Sequence, residues 1–205
     1  MSPPRPTWTH IGDATTAELR LMEQADQAFN RTLVDRVLAM LKMLDFTATS
    51  DTGLMPITRY EHSLQSATLA HRDGRDENYV ICCLLHDLGD TLTPYRHQDL
   101  GAAIVEPFVS EQNHWMVKNH AVFQGYYYYE KLGCDRNARD QYKDHPYYEV
   151  VAEFCAKYDA PAFDPSCDTL PLEFFEPMLR RVMTQPTWAQ DDSYSGISAQ
   201  LQFDA

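Results

Sequence analysis

The chain has 205 residues, of which 44% are hydrophobic and 23% charged, proportions typical of a soluble globular domain. Acidic residues outnumber basic ones by 30 to 17, so the net charge is −13. Because an acidic surface repels a phosphate backbone, nucleic-acid binding is set aside as a main function. No apolar run reaches the roughly 18 residues that span a bilayer, and Met1–Pro6 lacks the apolar stretch of a secretory signal. We therefore expect a cytoplasmic protein with no membrane partner.

The chain contains an odd number of cysteines, and no pair of them has CxxC spacing. An odd count in a chain expected in the cytoplasm argues against a disulfide framework. We therefore predict structural roles for all five, which are Cys82, Cys83, Cys134, Cys155 and Cys167.

Helical periodicity dominates the chain from its first elements onward. Apolar residues recur at three- and four-residue spacing in Thr16–Asn30 and in Arg31–Asp45, and the composition of Ala48–Pro56 indicates a loop. Further helices are predicted, between breaks marked by glycine and proline, at about Thr58–His71, Glu77–Leu88, His97–Phe108, Gln112–Leu132, Asp135–Tyr142, Pro146–Lys157 and Glu173–Met183.

No strand alternation or internal repeat is visible, so the predicted fold class is all-α. We expect one helical domain over residues 1–184, with an N-terminal helical extension. A polar tail is predicted at 185–205, because the chain from Thr184 onward is rich in Ser, Gln and Asp and has little periodicity.

A series of histidines and aspartates begins in the third predicted helix. His86 follows His62 by 24 residues, a spacing that suits a helix, a short turn and a returning helix. Two further histidines, His97 and His120, lie on later predicted helices, and Asp159 ends an aromatic-rich one.

Imidazole and carboxylate together suit iron, manganese or zinc. Near a helix end the adjacent residues His86 and Asp87 can flank one metal ion, and Asp87 can bridge to a second. A single histidine on an apolar face is more often a core residue than a ligand. The order and spacing of the whole series favour a metal site, whereas the remaining histidines have no partner motif.

The order H…HD…H…H…D, with LLHDLG at its centre, resembles the HD-domain superfamily of metal-dependent enzymes over roughly Thr58 to Asp159. The resemblance implies a helical bundle around a dinuclear metal site, with no catalytic residue beyond the metal ligands. The superfamily pattern matches four residues: His62, His86, Asp87 and Asp159. His97 and His120 match the histidines that dinuclear members add, and Asp87 would bridge.

Two kinds of dinuclear enzyme share this ligand pattern. Phosphohydrolases use the metals to activate water against a phosphoester, whereas myo-inositol oxygenase and hydroxyphosphonate-cleaving oxygenases use an Fe(II)/Fe(III) pair and O2. The ligand spacings and the segment His97-x-x-x-Gly101-Ala102 resemble the oxygenases. That resemblance implies two iron ions as cofactor and O2 as co-substrate. The alternatives are a phosphohydrolase acting on a nucleotide or small phosphoester, and a regulatory HD module with structural metals.

Two departures from these oxygenases bear on the substrate, which we expect to be small and zwitterionic or anionic. Gln124 replaces a lysine of the primary-amine phosphonate enzyme, and Asp90 replaces a lysine of inositol oxygenase. Tyr127 or Tyr128, with Asp90, would suit a quaternary ammonium through cation–π attraction. A trimethylammonio 1-hydroxyphosphonate, cleaved to glycine betaine and phosphate, is therefore the sharper hypothesis. Packing is the alternative role for the tyrosines.

An anionic end of the substrate would need donors, and Arg136 and Arg139 are the candidates. Arginine binds phosphonate through two hydrogen bonds. An equally acceptable interpretation is that both are solvated charges paired with Asp135 and Asp140. The sequence leaves the metal identity and the oligomeric state open.

Overall fold

The computed structural model describes residues 6–46, 55–184 and 186. No β-strand occurs among these residues, so the predicted all-α fold is confirmed for them. A π-helical turn, Cys155–Asp159, continues the seventh helix, and several 3₁₀ turns connect the others. The α-helices are α1 Thr16–Asn30, α2 Leu33–Met43, α3 Arg59–Arg72, α4 Glu77–Leu85, α5 His97–Val105, α6 Glu111–Gln124, α7 Tyr148–Phe154 and α8 Leu172–Val182.

The starts of the helices follow from side-chain caps that the sequence displays. Thr58 caps α3 and forms a capping box with Glu61, which satisfies two free backbone N–H groups at once. Asp76 accepts from the Tyr79 N–H at the start of α4, and Ser110 caps α6 in the same way. The predicted starts at Thr58 and Glu77 therefore lie within one residue of those observed.

Two of the predicted helices were wrong in their extent. The helix predicted at Gln112–Leu132 ends at Gln124, after which the chain forms 3₁₀ turns. The ring of Tyr129 folds over Gly125, where any β-carbon would collide with it, so this packing takes the place of continued helix. The segment predicted as a helix at Asp135–Tyr142 is a 3₁₀ turn over Ala138–Tyr142.

The core is built around α3 and α4, which form a helical hairpin. From Tyr79 to Leu85 every residue of α4 is buried, because α3, α6 and α8 pack around it. The buried side of α3 is unusual, since it carries His62 and Gln65 among other polar residues. Buried polar groups must find partners, so this side of α3 indicates a functional site.

The helix α1 lies in the segment predicted as an N-terminal extension, and none of its residues is buried. The predicted loop at 48–56 lies mostly outside the described residues, as does nearly all of the predicted tail at 185–205. Every helix that the structure describes is too short or too polar to cross a lipid bilayer.

Candidate metal centre

Six side chains from five segments converge where α3, α4, α5, α6 and the π-helical turn meet. All but one of them are at least nine-tenths buried, the exception being His97, whose side chain is 21% exposed. These are the residues that the sequence singled out as ligands: His62, His86, Asp87, His97, His120 and Asp159.

The first group of ligand atoms lies deepest. Nε2 of His62 lies 3.2 Å from Nε2 of His86 and 3.3 Å from Oδ1 of Asp159. His86 Nε2 lies 3.7 Å from the same oxygen. Three such atoms within 4.8 Å of one another could hold a metal ion.

A second group forms around the other side of Asp87. Its Oδ1 lies 3.1 Å from Nε2 of His120 and 3.3 Å from Nε2 of His97, and these two nitrogens are 3.2 Å apart. The other oxygen, Oδ2, lies 3.6 Å from Nε2 of both His62 and His86. The Asp87 carboxylate therefore stands between the two groups, with one oxygen toward each.

The imidazoles are oriented by what their Nδ1 atoms contact. In His62, His86 and His120 each Nδ1 lies 2.7–2.9 Å from a backbone carbonyl oxygen. Because a carbonyl can only accept, each Nδ1 carries the hydrogen and Nε2 presents a lone pair to the centre. Metal-binding histidines are commonly held this way.

This arrangement fits a cation and is unfavourable without one. Neutral His62 and His86 would face each other with two lone pairs at 3.2 Å, as would His97 and His120. Such contacts are relieved by a positive charge between them, supplied by a proton or by a metal ion. Two histidine pairs around one two-sided carboxylate match the donor set of a two-metal site.

The charges within the centre shift the pKa values of its histidines and aspartates. Burial lowers the pKa of His62 and His86, but the carboxylates of Asp159 and Asp87 outweigh it, so both values lie above the ordinary one. Burial alone would raise the pKa of Asp87 and Asp159, yet the neighbouring imidazoles hold both below the usual range. The carboxylates are thus ionised, as ligands must be.

Asp159 reaches the centre through the π-helical turn. Such turns insert one residue into a helix and are frequent at functional sites. Gln124, four residues after His120 on α6, donates from its Nε2 to the ligand oxygen Asp159 Oδ1. The Cys155 thiol lies 3.7 Å from the other oxygen of Asp159. Gln124, predicted as a substrate residue, therefore contacts a ligand carboxylate.

Asp90 contacts the Nδ1 side of His97, opposite the Nε2 atom that faces the centre. Its Oδ1 is 3.2 Å from Nδ1 of His97, and its Oδ2 forms an ion pair with Arg59. Burial, followed by the charge of Asp87, raises the pKa of Asp90. Asp90 was predicted to meet the substrate, but in the structure its oxygens contact a candidate ligand and an arginine.

The tyrosines predicted to continue the His120 helix lie beyond its end, in the 3₁₀ turns. Tyr127 is 41% exposed and Tyr128 is 40% exposed. Burial raises the pKa of Tyr128, and the charges of Tyr129, Asp159 and Asp87 raise it further. Burial raises the pKa of Tyr127, and the charges of Cys155 and Asp159 raise it further.

The two arginines proposed for an anionic group differ in the structure. Arg136 pairs with Glu130 and lies over one face of Tyr126. Arg139 stacks on the same ring at 3.7 Å, but no described carboxylate lies within 4.0 Å of its guanidinium, and its buried Nε has no described hydrogen-bond partner. The predicted pairing with Asp135 and Asp140 is therefore wrong for both.

Sequence reasoning missed two neighbours of the centre, Cys155 and Phe163, and named Arg59 only as a further candidate donor for an anionic group. Arg59 sits one turn before His62, Cys155 one turn before Asp159, and Phe163 stacks on the His62 ring at 4.3 Å. Helical spacing from a ligand could have indicated Arg59 and Cys155. Phe163 follows a turn, and no periodicity marks it.

Comparisons with known proteins agree with this geometry. Residues 59–142 match the family model described as HD domain. A curated protein of Leisingera caerulea, named [1-hydroxy-2-(trimethylamino)ethyl]phosphonate dioxygenase (glycine-betaine-forming), is 37% identical over 65 residues. That match covers 26% of this chain and 33% of the relative, so the chain spans about a third of the relative's length. Residues 59–142 are thus similar to the HD domain, and the helical bundle with its histidine–aspartate centre agrees with that similarity.

Proposed function

We propose that the chain is a two-metal oxygenase that cleaves the C–P bond of a small 1-hydroxyphosphonate. The observation that supports it most is the position of Asp87, whose two oxygens face two separate sets of imidazole nitrogens. In the proposed site His62, His86, Asp87 and Asp159 hold one ion. Asp87, His97 and His120 hold the other.

Iron in the Fe(II)/Fe(III) state is the proposed metal, and O2 is the proposed co-substrate. When bound, the iron pair would supply the redox chemistry that activates O2. The buried, nitrogen- and oxygen-only donor set is compatible with iron. The name of the Leisingera relative, a dioxygenase, supports this choice over a redox-inactive metal.

The proposed substrate is the trimethylammonio form, with glycine betaine and phosphate as products. The carbinol C–H bond and the C–P bond break, the carbon becomes a carboxylate and the phosphorus leaves as phosphate. The substrate gives up four electrons to O2, and both oxygen atoms are incorporated, so no further reductant is needed.

The chain leaves one side of the centre open to such a substrate. The second ligand group has three protein ligands where the first has four, and its His97 is the most exposed ligand. An ion with fewer protein ligands retains free positions for substrate oxygens. The 32%-exposed Arg59 is linked to this side through Asp90, which contacts His97.

Two features support recognition of a zwitterion. Tyr127 and Tyr128 have partly exposed rings, and the negative charge of Asp159 acts on both. Aromatic faces near a carboxylate suit a quaternary ammonium. The Nε of Arg139 has no described hydrogen-bond partner, and the Arg139 charge acts on Tyr127 and on Cys155, whose thiol contacts Asp159. We propose that Arg139 binds the phosphonate, and that the paired Arg136 contributes less.

The test combines metal content, spectroscopy and turnover. Protein purified anaerobically with iron should bind two ions and, on partial oxidation, give the EPR signal of a coupled Fe(II)/Fe(III) pair. It should consume O2 in the presence of the trimethylammonio hydroxyphosphonate and release phosphate. Turnover of a phosphoester panel without O2, at low iron content, would replace this proposal with the phosphohydrolase alternative. Tightly held metals without either turnover would favour a regulatory module.

A further inference from the structure

The fourth histidine of the centre is held differently from the other three. His62, His86 and His120 are fixed through backbone carbonyls, and their side chains are at most 1% exposed. His97 is the first residue of α5, and its Nδ1 contacts the side chain of Asp90. Its orientation therefore depends on another side chain and not on the backbone.

Asp90 is in turn fixed from two directions. It belongs to the 3₁₀ turn that follows Asp87, and its N–H donates to the Asp87 carbonyl at 3.0 Å. Its carboxylate is 6% exposed and lies between His97 and Arg59. A buried carboxylate without a cationic partner is costly, so Arg59 stabilises Asp90 in the place where it can accept from His97.

Arg59 connects this chain of contacts to the deeper ligand group. It is the first residue of α3, three residues before His62, and its Nη1 lies 3.9 Å from Oδ2 of Asp87. Arg59, Asp90 and His97 thus link the start of α3 to the start of α5 along the open side of the centre.

From these contacts we infer that Asp90 and Arg59 are positioning residues for the second metal position. The inference rests on the two-metal site of the proposed function, but not on its reaction. Loss of Asp90 frees the His97 ring to rotate and removes one of three ligands from the second position. The first position keeps its four ligands, so the two ions should respond separately.

The test is a calorimetric titration of Zn²⁺ into chelator-treated protein, because zinc accepts the same ligands as iron. Wild-type protein should bind two ions. In Asp90→Ala the second ion should bind about 10–100-fold more weakly, as measured for lost partners of metal-binding histidines. Asp90→Asn, whose amide oxygen still accepts from His97, should lose less.

Arg59 is tested in the same titration. Arg59→Gln should weaken the second ion by a smaller factor than Asp90→Ala does, and Arg59→Lys should restore part of the loss by returning the charge. Asp99→Ala is the matched control, since Asp99 also lies in the first turn of α5 but pairs with the exposed Arg96. It should leave both affinities unchanged.

The outcomes separate this inference from the proposed function. If Asp90→Ala binds two ions with wild-type affinity, or weakens both equally, Asp90 does not position the second site. If Asp99→Ala matches Asp90→Ala, the effect is a general loss of charge and the inference is wrong. If the wild-type protein binds a single ion, the two-metal proposal itself fails.

Discussion

Gly101 packs against the carbonyl oxygen of His86, and a β-carbon built at Gly101 would lie 2.7 Å from that oxygen. Gly89, three residues after His86, packs even more closely against the backbone of His97. The two segments therefore cross at their glycines, each of which lies against the histidine of the other segment. This crossing brings the two ligand groups to either side of Asp87.

Replacing Gly101 with alanine should disturb both stability and metal binding. The added carbon has to displace α5 from His86, and overpacking of this kind costs about 1–3 kcal/mol. We expect a lower free energy of unfolding in urea and weaker binding of the second ion, since His97 lies on α5. Ala103→Ser, at an exposed position of the same helix, should change neither. Wild-type stability in Gly101→Ala would show that the crossing tolerates a side chain.

In the protein without metal, the free energy of unfolding should fall as the pH rises. The pKa of His62 and His86 lies above 6.5 in the folded metal-free protein. Their contribution is fully present below the unfolded value and is lost as the pH passes the raised one. Burial is the main cause of the lowered pKa of His97. His97 therefore makes the folded protein more stable as the pH rises, but only up to its unfolded pKa of about 6.5.

The measurement is the melting temperature of chelator-treated protein between about pH 6.5 and 8.5, where we expect a decline. Metal-loaded protein is the control, because ligands bind metal in the deprotonated form and metal affinity rises with pH. A metal-free protein that gains stability over this range would contradict the raised values.

Gln124→Leu should weaken the first metal position. The amide donates to Asp159 Oδ1 and fixes which way the carboxylate faces. Loss of such a contact commonly costs 10- to 100-fold in metal affinity, to be measured by competition with a chelator of known affinity. Gln112→Leu, an exposed change on the same helix, is the control. Equal affinities in the two variants would rule out a supporting role for Gln124.

Arg139 and Arg136 give a paired test of phosphonate recognition. Arg139→Gln should raise the KM for the hydroxyphosphonate about tenfold or more, because a charge-assisted contact to an anion contributes about 1.5–3 kcal/mol. Arg136→Gln should have little effect, since Arg136 already pairs with Glu130. If Arg136→Gln raises KM as much, the choice between the two arginines is wrong.

The sequence was informative where one residue type has one dominant physical role. Thr58 with Glu61 predicts the start of α3, and the helical stripe of α2 predicts its buried face. The order of histidines and aspartates also indicated which side chains would meet. These features depend on local geometry and on motif order, both of which a sequence displays.

The sequence was less informative where a distant contact decides the structure. Four consecutive tyrosines fit a helix, yet Tyr129 folds over Gly125 and the helix ends. Asp90 was assigned to the substrate because it replaces a lysine of inositol oxygenase. Its contacts with His97 and Arg59 are tertiary, and the sequence does not display them. The π-helical turn at Asp159 leaves no mark in the apolar periodicity. One inserted residue shifts that pattern by less than the pattern varies within a single helix.

His62 and Asp159 are 97 residues apart in the chain, yet their ligand atoms lie 3.3 Å apart. An ion held by both would close a loop that contains almost half of the protein. The unfolded chain has no such site, so the ion's binding free energy is added to the native state alone. The closed loop also limits partial opening, because separating the π-helical turn from α3 would release the ion. The bound metal would thus act as a reversible cross-link that makes unfolding of the two halves cooperative.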